Sequence, residues 1–438
     1  MLGVIGIVVA LVVLVALTFK GWHMGVVAIA SSLIIILTSQ MDIWTTITEN
    51  FAPSFTGFAG NWFLVFSLAA IFGKVMDLGG ASMSIARHTV KLLGKKQIVL
   101  IVLVVSLILS YAGIGVFVIA FTMYPICLAL FKEADIPKKV FPGLMLAVPA
   151  TVCMVFLPGT PSTQNLIPAE FFGTSIYAAP VIGIISSIVV FILDYLFYSW
   201  VVKRCAARGE HFVPGENDTI PDLNDESVLA GLPSAGAAFA PIVVLIIAIF
   251  VFQKGFGYAA NYSVCLATTI AIILGIILYR GKFNVKEVCT AGITNGLNAL
   301  MVTSCIMGFG GVVTASPTYT SCVNWLLSLD MSPIMLMFLS INVICMITGS
   351  STGGLNIFLN SMGEYLITTG INTQILHRLS AIASAGLDAM PHASGVVLAN
   401  SIAKTDMIDT YKYTFISQCM IPIVGFFVAL LLYMVGVC

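Results

Sequence analysis

The stretch SAGLDAMPHASGVV, which runs from Ser384 to Val397, decides the fold because it interrupts an apolar segment with an aspartate, a proline and a histidine. Pro391 has no backbone N–H and its ring clashes with the preceding turn, so a regular helix breaks there. Inside a bilayer, unwound backbone is tolerated only where protein or a water-filled cavity satisfies its polar groups. If this segment spans a membrane, the stretch predicts a broken helix beside an interior polar site.

The composition of the chain places that segment in a membrane. Hydrophobic residues make up 59% of the 438 residues and charged residues 9%, whereas soluble domains carry about 25% charged residues. The mean hydropathy is +1.06. The formal net charge is +0, so nothing indicates nucleic acid as a partner. The sequence therefore predicts an all-α polytopic membrane protein surrounded by lipid.

The sequence has no pattern typical of a metal centre or of ATP hydrolysis. None of the ten cysteines forms a C-x-x-C pair, and we interpret them as packing residues. H-E-x-x-H and Walker A motifs are absent. We expect no metal, no cofactor and no enzymatic activity.

Two apolar segments, residues 97–131 and 333–368, have lengths that do not suit simple crossings. A helix spans a bilayer with ~20 residues, so each segment is too long for one crossing and too short for two crossings with a loop. Small residues occupy their middles, at Tyr111-Ala-Gly-Ile-Gly115 and Thr348-Gly-Ser-Ser-Thr-Gly-Gly354. We predict that each is a re-entrant helical hairpin. The alternatives are one long kinked helix and two crossings with a tight turn.

The two halves of the chain resemble each other. Asn61 and Gly73 match Asn298 and Gly310 at one offset of 237 (298 − 61 = 310 − 73). With five crossings and one hairpin in each half, the odd number of crossings turns the second copy upside down. Inverted-topology repeats are typical of secondary transporters. We predict two such repeats, with the following division: first repeat 1–202, hairpin 97–131, broken helix 140–174, cytoplasmic linker 203–235, second repeat 236–438, hairpin 333–368, broken helix 374–404.

The distribution of basic residues gives the orientation of these predicted elements. Lys and Arg in short loops mark the cytoplasmic side. With both hairpins in place, the basic clusters share that side and both termini lie outside. A single long helix over residues 97–131 would separate the clusters, whereas two crossings would not. His377 and Arg378 are then placed on the outer side, against the rule.

The candidate substrate ligands lie at four breaks in the predicted helices. Broken helices expose positively polarised N-termini and unpaired carbonyls, and hydroxyls and amides beside them can hold a carboxylate or a hydroxyl. We predict that inverted symmetry brings the breaks together at mid-membrane. The candidate substrate-binding residues are Gly113, Gly115, Ser162, Thr163, Gln164, Asn165, Gly349, Ser350, Ser351, Thr352, His392 and Ser394.

The candidate coupling-ion residues are the ionisable groups of the same segments, since an ionisable group in a spanning segment indicates function by default. They are Asp388, His392, Glu170 and Glu364. Two alternatives stay open at this point. Asp388 could instead cap the second half of the broken helix, and His392 could be a hydrogen-bonded filler. We interpret Asn61 and Asn298 as structural braces.

Two of these stretches resemble a known family. LDAMPHASGVV is similar to the L-D-x-x-P-H-(N/S)-G-x-V signature of the gluconate permease family, with one residue more between histidine and glycine. The stretch from Pro158 to Thr174 resembles the variant P-G-(T/S)-P-x-x-Q-N-x-I-P-x-x-(Y/F)-F-G-T, found in hydroxybutyrate and organic-acid permeases. Typical gluconate carriers have P-P-H-P-G-P instead. The resemblance implies the ion transporter superfamily, a homodimer, an elevator-like movement and an organic anion carried with protons.

The residues and the resemblance together predict a secondary active transporter in a bacterial inner membrane. We expect uptake of a small organic anion (a sugar acid, a hydroxy acid or another carboxylate) by proton symport. Sodium-coupled symport of a carboxylate is the alternative mechanism. A passive channel or facilitator is the alternative of another class.

Overall fold

The computed structural model describes residues 2–111, 116–160, 162–215 and 231–437, and those residues form helices and loops without a β-strand. The predicted all-helical architecture is confirmed. Gly113, Gly115 and Pro161 lie outside the described residues. The helices of the first half are α1 (Leu2–Phe19), α2 (Met24–Thr38), α3 (Ile43–Leu78), α4 (Ala81–Leu93), α5 (Ile98–Tyr111), α6 (Val116–Ala134), α7 (Lys138–Phe156), α8 (Thr163–Phe172) and α9 (Pro180–Ala207).

The second half of the described chain repeats this order of helices. A long third helix, a short fourth helix, a closely spaced pair and an interrupted helix recur in sequence. Whether the two copies are inverted relative to a bilayer stays a prediction. The helices are α10 (Ala235–Phe250), α11 (Ala260–Leu278), α12 (Val285–Ala315), α13 (Pro317–Leu327), α14 (Pro333–Thr348), α15 (Ser351–Thr368), α16 (Thr373–Ala383), α17 (Ser394–Ala403) and α18 (Met407–Met434).

Six helices in the described part of the chain are long and apolar enough, by length and composition, to cross a bilayer: α3, α6, α7, α9, α12 and α18. Seven further apolar helices of 10–17 residues accompany them. The chain is a multi-pass membrane protein, as its composition predicts. The helix α9 continues to Ala207, five residues beyond the predicted end of the first repeat.

The most extensive helix–helix contact among the described residues is the antiparallel packing of α3 against α12. Close approach requires glycine: a Cβ on Gly296 would lie 2.8 Å from the carbonyl oxygen of Phe66, and one on Gly292 2.6 Å from the Cα of Ile71. Small residues let helices in a membrane approach closely and gain dispersion energy. This pair therefore joins the two halves of the chain across a large contact.

Both predicted broken helices are interrupted in the structure. The helix α7 ends in a ten-residue π-helical segment, Ala147–Phe156, and α8 begins at Thr163. The helix α16 ends at Ala383 and α17 begins at Ser394. The halves interlock, because α16 packs on α8 and α17 packs on α7. Each broken helix is thus supported by the broken helix of the other half.

The two predicted hairpin segments also form helix pairs. In the second, α14 and α15 pack against each other on either side of Gly349 and Ser350. In the first, α5 and α6 are in contact. That either helix pair is re-entrant, and so returns to the membrane face from which it enters, stays a prediction.

Candidate functional site

The first break, residues 157–162, is braced by Asn165, whose side chain is completely buried. Its Nδ2 donates to the carbonyl oxygens of Leu157 and Thr160, both at 3.2 Å, and to the Thr160 hydroxyl at 2.6 Å. Its Oδ1 accepts a bond of 2.8 Å from Nη1 of Arg378. Both polar atoms of this predicted ligand are therefore engaged inside the protein, so Asn165 shapes the break.

Arg378 forms hydrogen bonds with several backbone carbonyls around that break. Its guanidinium donates to the carbonyls of Val155 and Phe156 at 3.4 Å, of Ile176 at 3.2 Å and of Ala178 at 3.0 and 3.1 Å. A guanidinium carries five N–H donors and no acceptor, which suits a ring of carbonyls. No acidic residue forms an ion pair with it in the described ranges. The site thus contains a buried positive charge balanced by backbone dipoles.

His377 and Arg378, the two residues that do not fit the distribution of basic residues, are not loop residues. Both are completely buried in α16. His377 Nδ1 lies 2.6 Å from the Thr174 hydroxyl at the end of α8. The basic pair therefore serves the packing of α16 on the first half, and the charge rule for loops does not apply to it.

The second break, residues 384–393, is held by side chains from neighbouring helices. Asn342 on α14 donates to the carbonyl of Ala383 at 3.1 Å. The Tyr411 hydroxyl on α18 donates to the carbonyl of Ala389 at 3.2 Å. The N-cap of α17 is Ala393, which makes no side-chain cap bond. The alternative that Asp388 caps this helix is therefore wrong.

The breaks meet through hydroxyl and amide side chains. Gln164, 1% exposed, donates from Nε2 to the hydroxyls of Ser351 at 2.8 Å and Thr352 at 3.2 Å. The Thr163 hydroxyl lies 2.9 Å from that of Thr352 and donates to Gln164 Oε1 at 2.9 Å. The start of α8 and the turn between α14 and α15 are thus in direct contact.

The second break joins the same cluster through Asp388 and His392. The Asp388 carboxylate interacts with the Ser351 hydroxyl and with the N–H groups of residues 388 and 389. His392 is 2% exposed and stands against the turn at Gly349, since a Cβ there would lie 2.7 Å from its Cδ2. We define the break cluster as Thr163, Gln164, Gly349, Ser351, Thr352, Asp388 and His392.

His392 carries the least satisfied polar group of the break cluster. Neither ring nitrogen has a hydrogen-bond partner among the described residues, although the carbonyls of Met346 and Ile347 lie nearby. Phe309 on α12 meets the ring edge-on, with centroids 6.4 Å apart. A buried imidazole without partners is costly, so the ring is available to a ligand or a proton.

Three helices begin at or next to residues of the break cluster: α8 at Thr163, α15 at Ser351 and α17 at Ser394. Each N-terminus carries about +0.5 elementary charge, and together they create a field that favours an anion. Within the cluster, Asp388 is the one formally acidic side chain. The arrangement can therefore hold a carboxylate when Asp388 is protonated, and hydroxyl groups through the surrounding side chains.

The remaining predicted residues have other positions. The Ser162 and Ser350 hydroxyls act as N-caps, accepting from the N–H groups of Asn165 at 3.3 Å and Gly353 at 3.1 Å. Ser394 is the first residue of α17. Glu170 and Glu364 are exposed on α8 and α15 and stand outside the break cluster. In the described ranges, no group of three His, Cys, Asp or Glu side chains is arranged to hold a metal ion.

Gly349→Ala is expected to reduce transport at least about tenfold, equivalent to 1.4 kcal/mol or more. Gly349 has a φ of +61°, and its added Cβ would press on the His392 ring. Gly370→Ala is the matched control, because its φ is +76° and nothing lies within 4 Å of the added Cβ. Both variants carry about 1 kcal/mol of backbone strain, and the first alone disturbs the break cluster. Equal uptake by the two purified variants would contradict this role for Gly349.

Sequence reasoning missed Arg378, Asn342 and Tyr411 as residues that hold the breaks. The available signal was the misfit of Arg378 with the distribution of basic residues. Burial of Arg378 inside the protein accounts for that misfit. Asn342 and Tyr411 lie in apolar helices and give no such signal.

Comparison with known proteins gives three results. A family model described as "GntP family permease" matches residues 2–435. The chain is 29% identical over 444 residues to the uncharacterized transporter YxjC of Bacillus subtilis (strain 168), covering 93% of this chain and 94% of that protein. A solved structure, the YdaH transporter of Alcanivorax borkumensis, aligns with a TM-score of 0.44 and 15% identity over 88% of each chain.

Proposed function

Because the chain belongs to the GntP family of permeases, and is thus a membrane transporter, we propose that it takes up a small organic anion by proton symport. The observation that carries this proposal is the break cluster. Three helix N-termini meet there beside Asp388 and the unpartnered ring of His392. The solute would be a sugar acid, a hydroxy acid or another carboxylate, held by its carboxylate and its hydroxyls.

Electrostatic repulsion supplies the coupling in this proposal. A carboxylate solute and an ionised Asp388 repel each other strongly at short distance in a medium of low dielectric constant. Protonation of Asp388 removes that repulsion and leaves the positive field of the N-termini. Solute and proton then bind together more favourably than either does alone, as symport requires. His392 is the second proton-carrying candidate of the same cluster.

A proton suits the first break better than the sodium ion of the alternative mechanism. In sodium-coupled carriers, unwound backbone carbonyls coordinate the ion. Here Arg378 and Asn165 already donate to the carbonyls of Val155, Phe156, Leu157 and Thr160. A guanidinium beside these oxygens also repels a cation. The proposal therefore has a proton as coupling ion.

The family resemblance extends the proposal beyond the site. An elevator-type movement of the break cluster, a homodimer, a bacterial inner membrane and termini on the outer side are all part of it. The interlocking of α16 with α8 and of α17 with α7 supports a movement in which the broken helices travel as one body.

The proposal predicts uphill uptake of gluconate or 3-hydroxybutyrate by proteoliposomes with an alkaline interior. For electroneutral symport of one proton with one monovalent anion, each pH unit drives an accumulation of about tenfold, because 1.4 kcal/mol corresponds to a factor of ten. The measurement is the internal concentration of radiolabelled solute at steady state, with and without a protonophore.

Each other outcome of this experiment identifies an alternative. Accumulation driven by a sodium gradient at equal pH would replace the proton by sodium. Equilibration without accumulation under either gradient would identify a facilitator. No entry of either carboxylate would contradict the proposed solute class.

A further inference from the structure

A polar cavity lies apart from the break cluster, between α3, α6, α12 and the end of α17. Its volume is about 300 Å³, within the range of small-molecule sites. The polar side chains in its wall are Lys74, Asp77, Tyr124, Asn295, Asn298, Ser401 and Lys404. None of these belongs to the break cluster.

The charge of this cavity is positive. Lys74 Nζ lies 3.4 Å from Asp77 Oδ2, and both side chains are about one quarter exposed. The remaining charged side chain of the wall is Lys404, whose ammonium forms no ion pair with any residue that the structure describes. Two lysines against one aspartate give a net charge of +1. The cavity therefore attracts an anion.

Two amides stand one turn apart on the wall of the cavity. Asn295 and Asn298 lie three residues apart on α12, inside one of the long apolar helices. Neighbours at this spacing share a helix face. Neither side chain forms a hydrogen bond with a described residue, so the interpretation of Asn298 as a structural brace finds no contact in support. Amides in a spanning helix are costly unless they line a wet cavity or meet a ligand, and they bond carboxylates and hydroxyls alike.

The backbone at Lys404 is strained in a way that serves the cavity. Lys404 ends α17 in the left-handed region, with a φ of +51°. A residue with a Cβ costs about 1–2 kcal/mol there relative to glycine. A glycine would end the helix at lower cost but would bring no charge. Strain of this kind points towards a functional position.

The cavity and the break cluster lie at opposite ends of one short helix. The helix α17 has ten residues, about 15 Å at 1.5 Å per residue. Ser394 starts it beside His392, and Ser401 and Lys404 end it in the cavity wall. Along α12, Phe309, which contacts His392, lies eleven positions from Asn298, about 16 Å at 1.5 Å per residue. The two paths therefore give similar separations.

We propose that this cavity is a second binding site for the transported anion, in which Lys404 and Asn298 hold its carboxylate. The proposal rests on the proposed function, since the ligand is the same solute. The solute occupies the cavity before or after the break cluster, and α17 separates the two positions. A positively charged vestibule also raises the local concentration of anions at the entrance of a site.

The test measures protection of lysine amines in the purified wild-type protein, without a membrane gradient. The protein is acylated with an amine-reactive ester, with and without saturating gluconate or 3-hydroxybutyrate, and peptides are quantified by mass spectrometry. Bound carboxylate is expected to slow acylation of Lys404 about tenfold, since 90% occupancy leaves about one tenth of the sites open. Glucose, which is neutral, is expected to leave the rate unchanged. Lys412, exposed and outside the cavity, is the internal control.

Asn298→Leu keeps the side-chain size and removes the amide. In this variant, protection of Lys404 from acylation is expected to need about tenfold more carboxylate, which corresponds to a loss of about 1.4 kcal/mol in binding free energy. Unchanged acylation of Lys404 in the wild type with both carboxylates would overturn the proposal. Equal protection by glucose would do the same. Protection by anionic lipid with no further effect of carboxylate would assign the cavity to a lipid headgroup instead. Failure of uphill uptake concerns the proposed function alone, because protection is measured without transport.

Discussion

Arg378→Met is expected to lower the stability of the protein by about 3–5 kcal/mol and to abolish transport. The substitution leaves the carbonyls around the first break and Oδ1 of Asn165 without their buried donor. Each buried acceptor without a partner costs about 1–3 kcal/mol, and the loss of Arg378 leaves several such acceptors at once, so a total of about 3–5 kcal/mol is expected. The measurements are the midpoint of unfolding in detergent and uptake by proteoliposomes.

Two further variants separate the role of charge from that of shape. Arg378→Lys keeps the charge, but its compact ammonium has three donors and cannot span the ring of carbonyls. We expect an intermediate loss of stability for it. Arg204→Met is the surface control, because Arg204 stacks on Trp200 near the end of α9 and surface changes usually stay within about 0.5 kcal/mol. Wild-type unfolding of Arg378→Met would refute the bracing role.

Asp388→Asn is expected to remove uphill accumulation while solute exchange continues. Asparagine resembles the protonated carboxylic acid in size and polarity, and it keeps a partner for Ser351. Solute can therefore still bind, but no proton is taken up with it. The accumulation ratio should fall from about tenfold per pH unit to one. The measurement compares pH-driven uptake with exchange of labelled for unlabelled solute in the same proteoliposomes.

Glu170→Gln and Glu364→Gln are the matched controls for this prediction. Both residues are exposed, outside the break cluster, so their neutralisation should leave coupling intact. Full accumulation by Asp388→Asn, together with loss of accumulation in His392→Gln, would show that His392 carries the coupled proton. Wild-type accumulation in both variants would remove the break cluster from the coupling mechanism.

The sequence predicted the interrupted helices because their cause is local. Pro391 and its small polar neighbours disfavour a helix wherever they stand, and the structure ends α16 before them and starts α17 after them. The cluster of Gln164 with Ser351 and Thr352 joins residues 187 and 188 positions apart. The match between the two halves was the information that predicted their meeting.

The role of Asn165 and the position of Arg378 depended on tertiary contacts that no local pattern contains. Asn165 has the composition of a ligand, but its partners are decided by the path of residues 157–160 and by a helix more than two hundred residues later. Glu170 and Glu364 were predicted from their charge alone. The structure gives both an exposed position outside the break cluster.

The bond between Arg378 and the first break has a consequence for biogenesis. Val155 leaves the ribosome 223 residues before Arg378 does. At about 5–20 residues per second, that gap lasts roughly 10–45 s. During this interval Arg378 has not been synthesised, so the unwound carbonyls of the first break have no guanidinium donor. We expect the nascent first half to stay less tightly packed, in contact with the insertion machinery. The amino-terminal half acquires its final shape only after α16 has been synthesised.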